Sequence, residues 1–307
     1  MFNYLYKRFL TALAVVLGVS TLVFLLIHIV PGDPIEAMLG ETAQVADTEA
    51  LREALGLNLP LYQQWWDFMS QLIHFDLGTS LYSKREITGL LAERIPPTLI
   101  LALASIIIAL LVALPLGVVA AVHRGTGWDN ASMTFSMLGI SIPNFWLGPL
   151  LIMVFSLWLG WFPVSGMAGP GSLVLPALTL GSALAALLSR MVRAALLEVL
   201  SEDYIRAAQA RGLSQFTMIV RHALPNAALP IITVLGLQLG ALLAGAVITE
   251  TIFSWPGIGQ LTIDAIQKRD YPVVQACVLF ISLTYVAVNL LTDLAYAALD
   301  PRVRLEK

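Results

Sequence analysis

The side chains of this chain best suited to chemistry gather in a polar stretch, residues 201–230, reading SEDYIRAAQARGLSQFTMIVRHALPNAALP. Arg206 and Arg211 offer guanidinium groups, whose planar fork of donors matches a carboxylate. The stretch is therefore suited to gripping an acidic partner rather than to transforming a substrate. Ala207 and Ala208 are small enough to let that partner approach closely, and Glu202 and Asp203 carry negative charge where the first turn of a helix favours it. A second set of carboxylates, Glu250, Asp264 and Asp270, brackets the stretch FSWPGIG. These can attract a cationic amine or a basic patch on a partner; solvation in a loop is the plainer alternative for each.

The motifs that are missing narrow the class. The chain has four lysines, and none completes a glycine-rich loop ending in Gly-Lys-Ser or Gly-Lys-Thr, so nucleotide phosphates have no cradle of that kind. No H-E-x-x-H helix and no G-x-S-x-G elbow occurs. His28, His74, His123 and His222 are scattered, so no histidine cluster supports a metal site. Cys277 is the single cysteine and lies in an apolar run, which points to packing rather than redox work. A net charge of −3 without a basic face gives no footprint for nucleic acid. No catalytic residue, metal or cofactor is expected in this chain.

The elements that must hold the polar stretch can be read from its punctuation. Ser201 reads as an N-cap, Gly212 as a left-handed stop, and Ser214 as the cap of a second helix that runs to Leu224 and Pro225. Around it the chain belongs in lipid: 58% of residues are hydrophobic and only 12% charged, with a mean hydropathy of +0.82. Apolar runs near 9–30, 98–122, 131–159, 173–192, 227–249 and 273–299 have the length needed to cross a bilayer, which predicts an all-α polytopic membrane protein with six transmembrane helices.

Lysine and arginine are retained on the cytoplasmic side. With the N-terminus inside, eleven of the 17 fall there; the other six are Arg52, Lys84, Arg85, Arg94, Lys268 and Arg269. This puts both termini and residues 194–226 in the cytoplasm and residues 250–272 outside. The chain then divides into a tail and first span, 1–30; an external segment with short helices, 31–97; a five-helix core, 98–299; and a cytoplasmic tail, 300–307. The first apolar run ends in HIVPGDP rather than a small-x-small cleavage site, so it is expected to be retained.

In the external segment, LPLYQQWWDFMSQLIHF can form an amphipathic helix whose Trp65, Trp66 and Phe68 suit the membrane interface. Ser83 and Glu86 read as a capping box opening a short helix before Pro96 and Pro97. In FSWPGIG, residues Pro256, Gly257 and Gly259 set an irregular backbone between the anchors Phe253, Trp255 and Ile258. A simple turn between two spans is the alternative. Charges inside the apolar runs are nearly absent; Asp293 lies toward the cytoplasmic end of the last run.

The stretch 201–230 resembles the EAA loop of ABC importer permeases, with pattern E-A-A, three residues, G, nine residues, I-x-L-P. Ala207, Ala208, Gly212, Leu224 and Pro225 match, while Arg206 stands where the family has Glu and His222 where it has Ile. The stretch ETIFSWPGIGQLTIDAIQKRDYPVVQ, and the opening KRF, HIVPGDP and LGLNLPLYQQW, resemble the dipeptide, oligopeptide and nickel branch of that family. The resemblance implies the type I importer permease fold in a bacterial inner membrane, a second homologous permease, two ATP-binding subunits that hold ATP and magnesium, an external substrate-binding protein and a shell of membrane lipid. It implies that Ser201, Glu202, Asp203, Tyr204, Arg206, Ala207, Ala208, Arg211, Gly212 and Ser214 couple to the ATPases. By the same token Trp255, Pro256, Gly257, Gly259 and Asp270 lie at the external gate or meet the binding protein. Short peptides are the expected cargo, with nickel complexes, glutathione or haem-like compounds as alternatives. An ion-coupled secondary transporter is the rival class; it calls for buried ionisable groups along a path and gives the polar loop no task.

Overall fold

Long apolar runs without interruption should fold as helices, because a backbone in lipid must satisfy its own hydrogen bonds. The computed structural model describes residues 2–29, 52, 58–167 and 169–299, and among them is no strand, only an isolated bridge between Thr79 and Glu86. The HIVPGDP stretch beyond Ile29, the tail 300–307 and the Asp293 side chain lie outside the described residues. The chain separates into two compact units, residues 1–96 with 257–286 and residues 97–256 with 287–307.

The first unit holds α1 (Phe2–Ile29), α2 (Leu61–Ile73), the first turns of α3 (Ile87–Val122), α9 (Ile258–Gln267) and the first part of α10 (Tyr271–Leu299). The expected amphipathic helix is α2, which rests on α1: Trp65 Nε1 donates to Thr21 Oγ1 at 3.1 Å, and the Phe24 and Phe68 rings meet at a tilt with centres 5.8 Å apart. Trp66 is exposed, as an interfacial ring should be. Ile87, Leu90 and Leu91 pack with Ile258, Val273, Ala276 and Cys277 in one apolar core. Cys277 is thus a packing residue.

The second unit is built around α6 (Val174–Leu200), with α3, α4 (Gly127–Ser141), α5 (Asn144–Leu151) and α8 (Leu224–Ile252). Fourteen of the 27 residues of α6 are buried, which makes it the centre of this core. Close approach is possible because glycines face the crossings. A Cβ on Gly181 would lie 2.6 Å from the Ser105 carbonyl oxygen of α3, and one on Gly117 would lie 2.6 Å from Val192.

Among the described residues, four helical stretches are long and apolar enough to cross a membrane, Arg8–Ile29, Ile87–Val122, Gln215–Gly240 and Tyr271–Thr292, and a bent pair makes up to five. The run 173–192, expected as a span, folds as α6 but is not among them. Much of that helix faces protein: Ala177, Thr179, Gly181, Ala185, Ala186 and Ser189 are buried alongside five leucines. The run 131–159 is not one straight span: α4 and the α5 segment meet at 103°. Pro143 is the cause, since it holds Ile142 in an extended conformation and ends the helix before it. After α5 the chain continues as a π-helix, Ile152–Trp158.

Two further expectations are corrected. Pro96 and Pro97 do not separate a short helix from a span; α3 runs through both. Prolines are tolerated in membrane helices where neighbouring groups satisfy the backbone they free. The Ser83 and Glu86 capping box does not form either. Ser83 lies in a turn whose amide donates to Ser80 Oγ, and α3 begins at Ile87.

Candidate coupling and gating site

The polar stretch folds as a short helix, α7 (Asp203–Ala210), a turn, and one helical turn at Gln215–Thr217 that leads through a π-helical stretch, Met218–Ala223, into α8. Ser201 is not the cap of α7. It closes α6, its hydroxyl donating to the Glu198 carbonyl at 2.7 Å, and Glu202 takes the N-cap position instead. The reason is that α6 extends to Leu200, so only a two-residue corner separates the helices.

The far end of α7 follows its residues. Gly212 has φ of +77°, its amide donates to the Gln209 carbonyl at 2.9 Å, and the Leu213 amide donates to the Ala208 carbonyl at 3.4 Å. These are the paired bonds of a Schellman stop, which favours glycine at the left-handed position. Ser214 caps the next turn, accepting from the Thr217 amide at 3.3 Å. Pro225, expected to end that helix, lies inside its continuation. The π turn widens the helix just before it, and the Asn226 side chain donates to the His222 carbonyl at 2.7 Å.

One face of α7 is fixed and the other is free. Ile205 is fully buried in the second unit's core, and Asn226 Nδ2 donates to the Tyr204 hydroxyl at 2.9 Å, tying α7 to the base of α8. Glu202, Asp203, Arg206, Ala207 and Arg211 are exposed, and Ala208 is half-buried. Arg206 pairs with Asp203 at 3.1 Å on the surface, an ion pair that contributes little to stability. Phe216, which follows α7 in the chain, is 75% exposed. An exposed aromatic and two arginines in one short segment have the composition of an interaction hot spot. Neither Phe216 nor Ile205 stood out in the sequence, because each resembles the apolar residues of the adjoining spans.

At the other motif the anchors are interior. Phe253 and Trp255 are buried in the second unit, with Trp255 Nε1 donating to the Pro97 carbonyl at 2.9 Å and the Gly166 amide donating to the Phe253 carbonyl at 2.8 Å. Glu250 is also fully buried and accepts from Thr98 Oγ1 at 2.7 Å. Pro256 is half-buried. In the first unit, Gly257, Ile258 and Gly259 are buried where α9 begins, Asp264 is half-buried, and Asp270 is 4% exposed. Asp270 accepts from Ser80 Oγ at 2.6 Å and from the Leu81 and Tyr82 amides at 3.2 and 3.3 Å. The solvated-loop alternative therefore does not describe Glu250 or Asp270. Both carboxylates accept hydrogen bonds from the hydroxyls named, and burial without such donors would be costly.

The family profile described as "Binding-protein-dependent transport system inner membrane component" matches residues 113–305, and its N-terminal companion matches residues 1–102. The chain belongs to this permease family. The permease is 44% identical over 304 residues to the glutathione transport system permease protein GsiC of Escherichia coli O6:H1, covering 99% of each chain. It is 43% identical, with the same coverage, to the proteins of that name from Escherichia coli K12 and Shigella dysenteriae. Its fold is that of ABC importer permeases. A chain of the inward-facing MetNI methionine ABC transporter superposes with a TM-score of 0.59 at 21% identity, covering 69% of this permease and 97% of that chain. A chain of an amino acid ABC transporter gives 0.52 at 16% identity, covering 70% and 94%. As a multi-pass inner membrane component of an ABC importer, the permease is not itself an enzyme; ATP hydrolysis belongs to partner subunits, and family membership implies ATPase and substrate-binding partners.

Proposed function

We propose that this chain forms the translocation path, jointly with a second homologous permease, of an importer for short peptides of about tripeptide size, glutathione first among them. The observation that carries the cargo class is the 44% identity with a glutathione permease along 99% of both chains. What supports the coupling role of 201–226 is its geometry: α7 is rooted by Ile205 and Tyr204 and presents Glu202, Asp203, Arg206, Ala207 and Arg211 outward. ATP and magnesium belong to the two ATPase subunits, and the chain needs no cofactor of its own. Closure of the ATPases displaces α7, and the spans open outward to receive cargo from the external binding protein. Trp255, Pro256, Gly257, Gly259 and Asp270 shape the outer end, from inside the fold. The termini and α7 face the cytoplasm, and α9 faces outward.

In vesicles holding the complete importer, uptake of labelled glutathione is expected to require ATP and to stop when the phosphate-loop lysine of the partner ATPase is replaced. Uptake that persists and follows a proton gradient overturns the ATP-driven reading. Uptake of nickel in place of peptide overturns the cargo alone.

Orientation is checked separately with single cysteines at Gln215 and Gln267, both exposed, in a variant lacking Cys277. An impermeant thiol reagent is expected to label them from opposite sides of the membrane. Labelling of both from one side is incompatible with the proposed topology.

A further inference from the structure

Asp129 and Arg193 form an ion pair between α4 and α6, outside α7. The Arg193 guanidinium meets the carboxylate through two parallel hydrogen bonds, Nε to Oδ1 and Nη2 to Oδ2, each 2.7 Å. The Asp129 side chain is 5% exposed and that of Arg193 is 28% exposed. The Gly125 amide also donates to Oδ2, at 3.0 Å. Asp129 thereby joins three pieces of the second unit: the turn after α3, the first turn of α4, and α6.

Beyond this pair, α4 and α6 run antiparallel through small residues. Ser189 Oγ donates to Ser136 Oγ at 2.6 Å, and a Cβ on Gly139 would lie 3.1 Å from Ala186 Cβ and 3.2 Å from the Ser182 carbonyl oxygen. The ion pair sits at the end of α6 that runs on to Leu200 and then, after the corner, becomes α7.

A buried ion pair is weak evidence of added stability, because apolar side chains of the same volume hold helices together as well. What it supplies is direction. A bidentate guanidinium contact fixes the relative orientation of its two carriers, which small-residue packing alone leaves free to slide. We infer that Asp129 and Arg193 are positioning residues that carry a displacement of α7 into α4 and, across the bend at Pro143, into α5. The inference rests on α7 being the docking helix of the ATPase subunits.

Two variants of the fully assembled importer test it. Asp129→Asn removes the charge and keeps the shape; transport per assembled complex is expected to fall about tenfold or more, while the bound ATPases continue to hydrolyse ATP. Arg193→Lys keeps the charge and loses the fork, so it is expected to assemble at the parent level with an intermediate ratio of transport to hydrolysis. A role confined to packing lowers the amount of complex and leaves that ratio unchanged. If Asp129→Asn does not assemble, Arg193→Lys decides alone. A parental ratio in every variant that assembles overturns the inference. If Gly212→Val and charge reversal at Arg211 are silent as well, the docking role of α7 has failed; if those two uncouple while the pair variants do not, only the present inference has.

Discussion

Replacing Gly212 by valine is expected to leave the permease inserted and paired while lowering transport per ATP hydrolysed by about tenfold, or releasing the ATPases. The glycine stands at φ +77° in the stop that ends α7, and a Cβ built there meets no atom within 4 Å. The whole cost is therefore in the backbone. A left-handed conformation costs an ordinary residue about 1–2 kcal/mol, and 1.4 kcal/mol corresponds to a factor of about ten in an equilibrium. Relief of that strain re-aims α7, whose outward face carries Arg206 and Arg211. Gly212→Asn is the control, because asparagine tolerates the left-handed region, and it is expected to retain most transport. Charge reversal at Arg211, which has no partner among the described residues, probes the same face with the backbone untouched and is expected to weaken ATPase binding. Uptake at the parent rate with ATPases still bound, in both Gly212→Val and the Arg211 variant, rules out α7 as the coupling element.

The largest loss of folded protein is expected from Gly181→Leu. Even its Cβ would lie 2.6 Å from a backbone oxygen of α3, which cannot move aside as a flexible side chain would. Over-packing of this kind costs about 1–3 kcal/mol, occasionally more, and here it forces α3 away from α6, the centre of the second unit's core. Thermal unfolding of purified permease in detergent is expected to show no cooperative transition, or one displaced downward by many degrees, with Gly181→Ala between it and the parent. Gly18→Ala, on α1 with nothing within 4 Å of the new atom, is expected to unfold like the parent. Equal melting of Gly181→Leu and parent contradicts the close α3 and α6 crossing.

The contrast between these two glycines shows what local rules can and cannot supply. Gly212 was legible because a helix stop is a short-range event: the residues that form it are its neighbours, and the Ser214 cap was legible for the same reason. Gly181 has no such local mark, since its requirement comes from Ser105, 76 positions away in the chain. The same divide explains the misread caps. Ser201 and Ser83 have the right residue types for an N-cap, but α6 runs long enough to take Ser201 as its own terminus, and the Asp270 carboxylate organises the loop that contains Ser83. Proline rules failed in one direction only. Pro143 broke its helix as its chemistry requires, whereas Pro96, Pro97 and Pro225 were absorbed, the last beside a π turn and an asparagine side chain that donates to a nearby carbonyl. Burial of Glu250 and Asp270 was likewise beyond the sequence, because their donors Thr98 and Ser80 come from far along the chain.

The burial of Trp255, Gly257 and Gly259 changes what a shared motif can tell about cargo. Residues sealed within a core are held by the demands of packing, so two permeases can keep this stretch letter for letter and still carry unlike molecules. Agreement there dates a common ancestry and vouches for a common scaffold. A survey seeking to sort such permeases by what they import gains nothing by weighting this stretch, and will be better served by positions that line open space, where drift is checked by the traveller rather than by the walls.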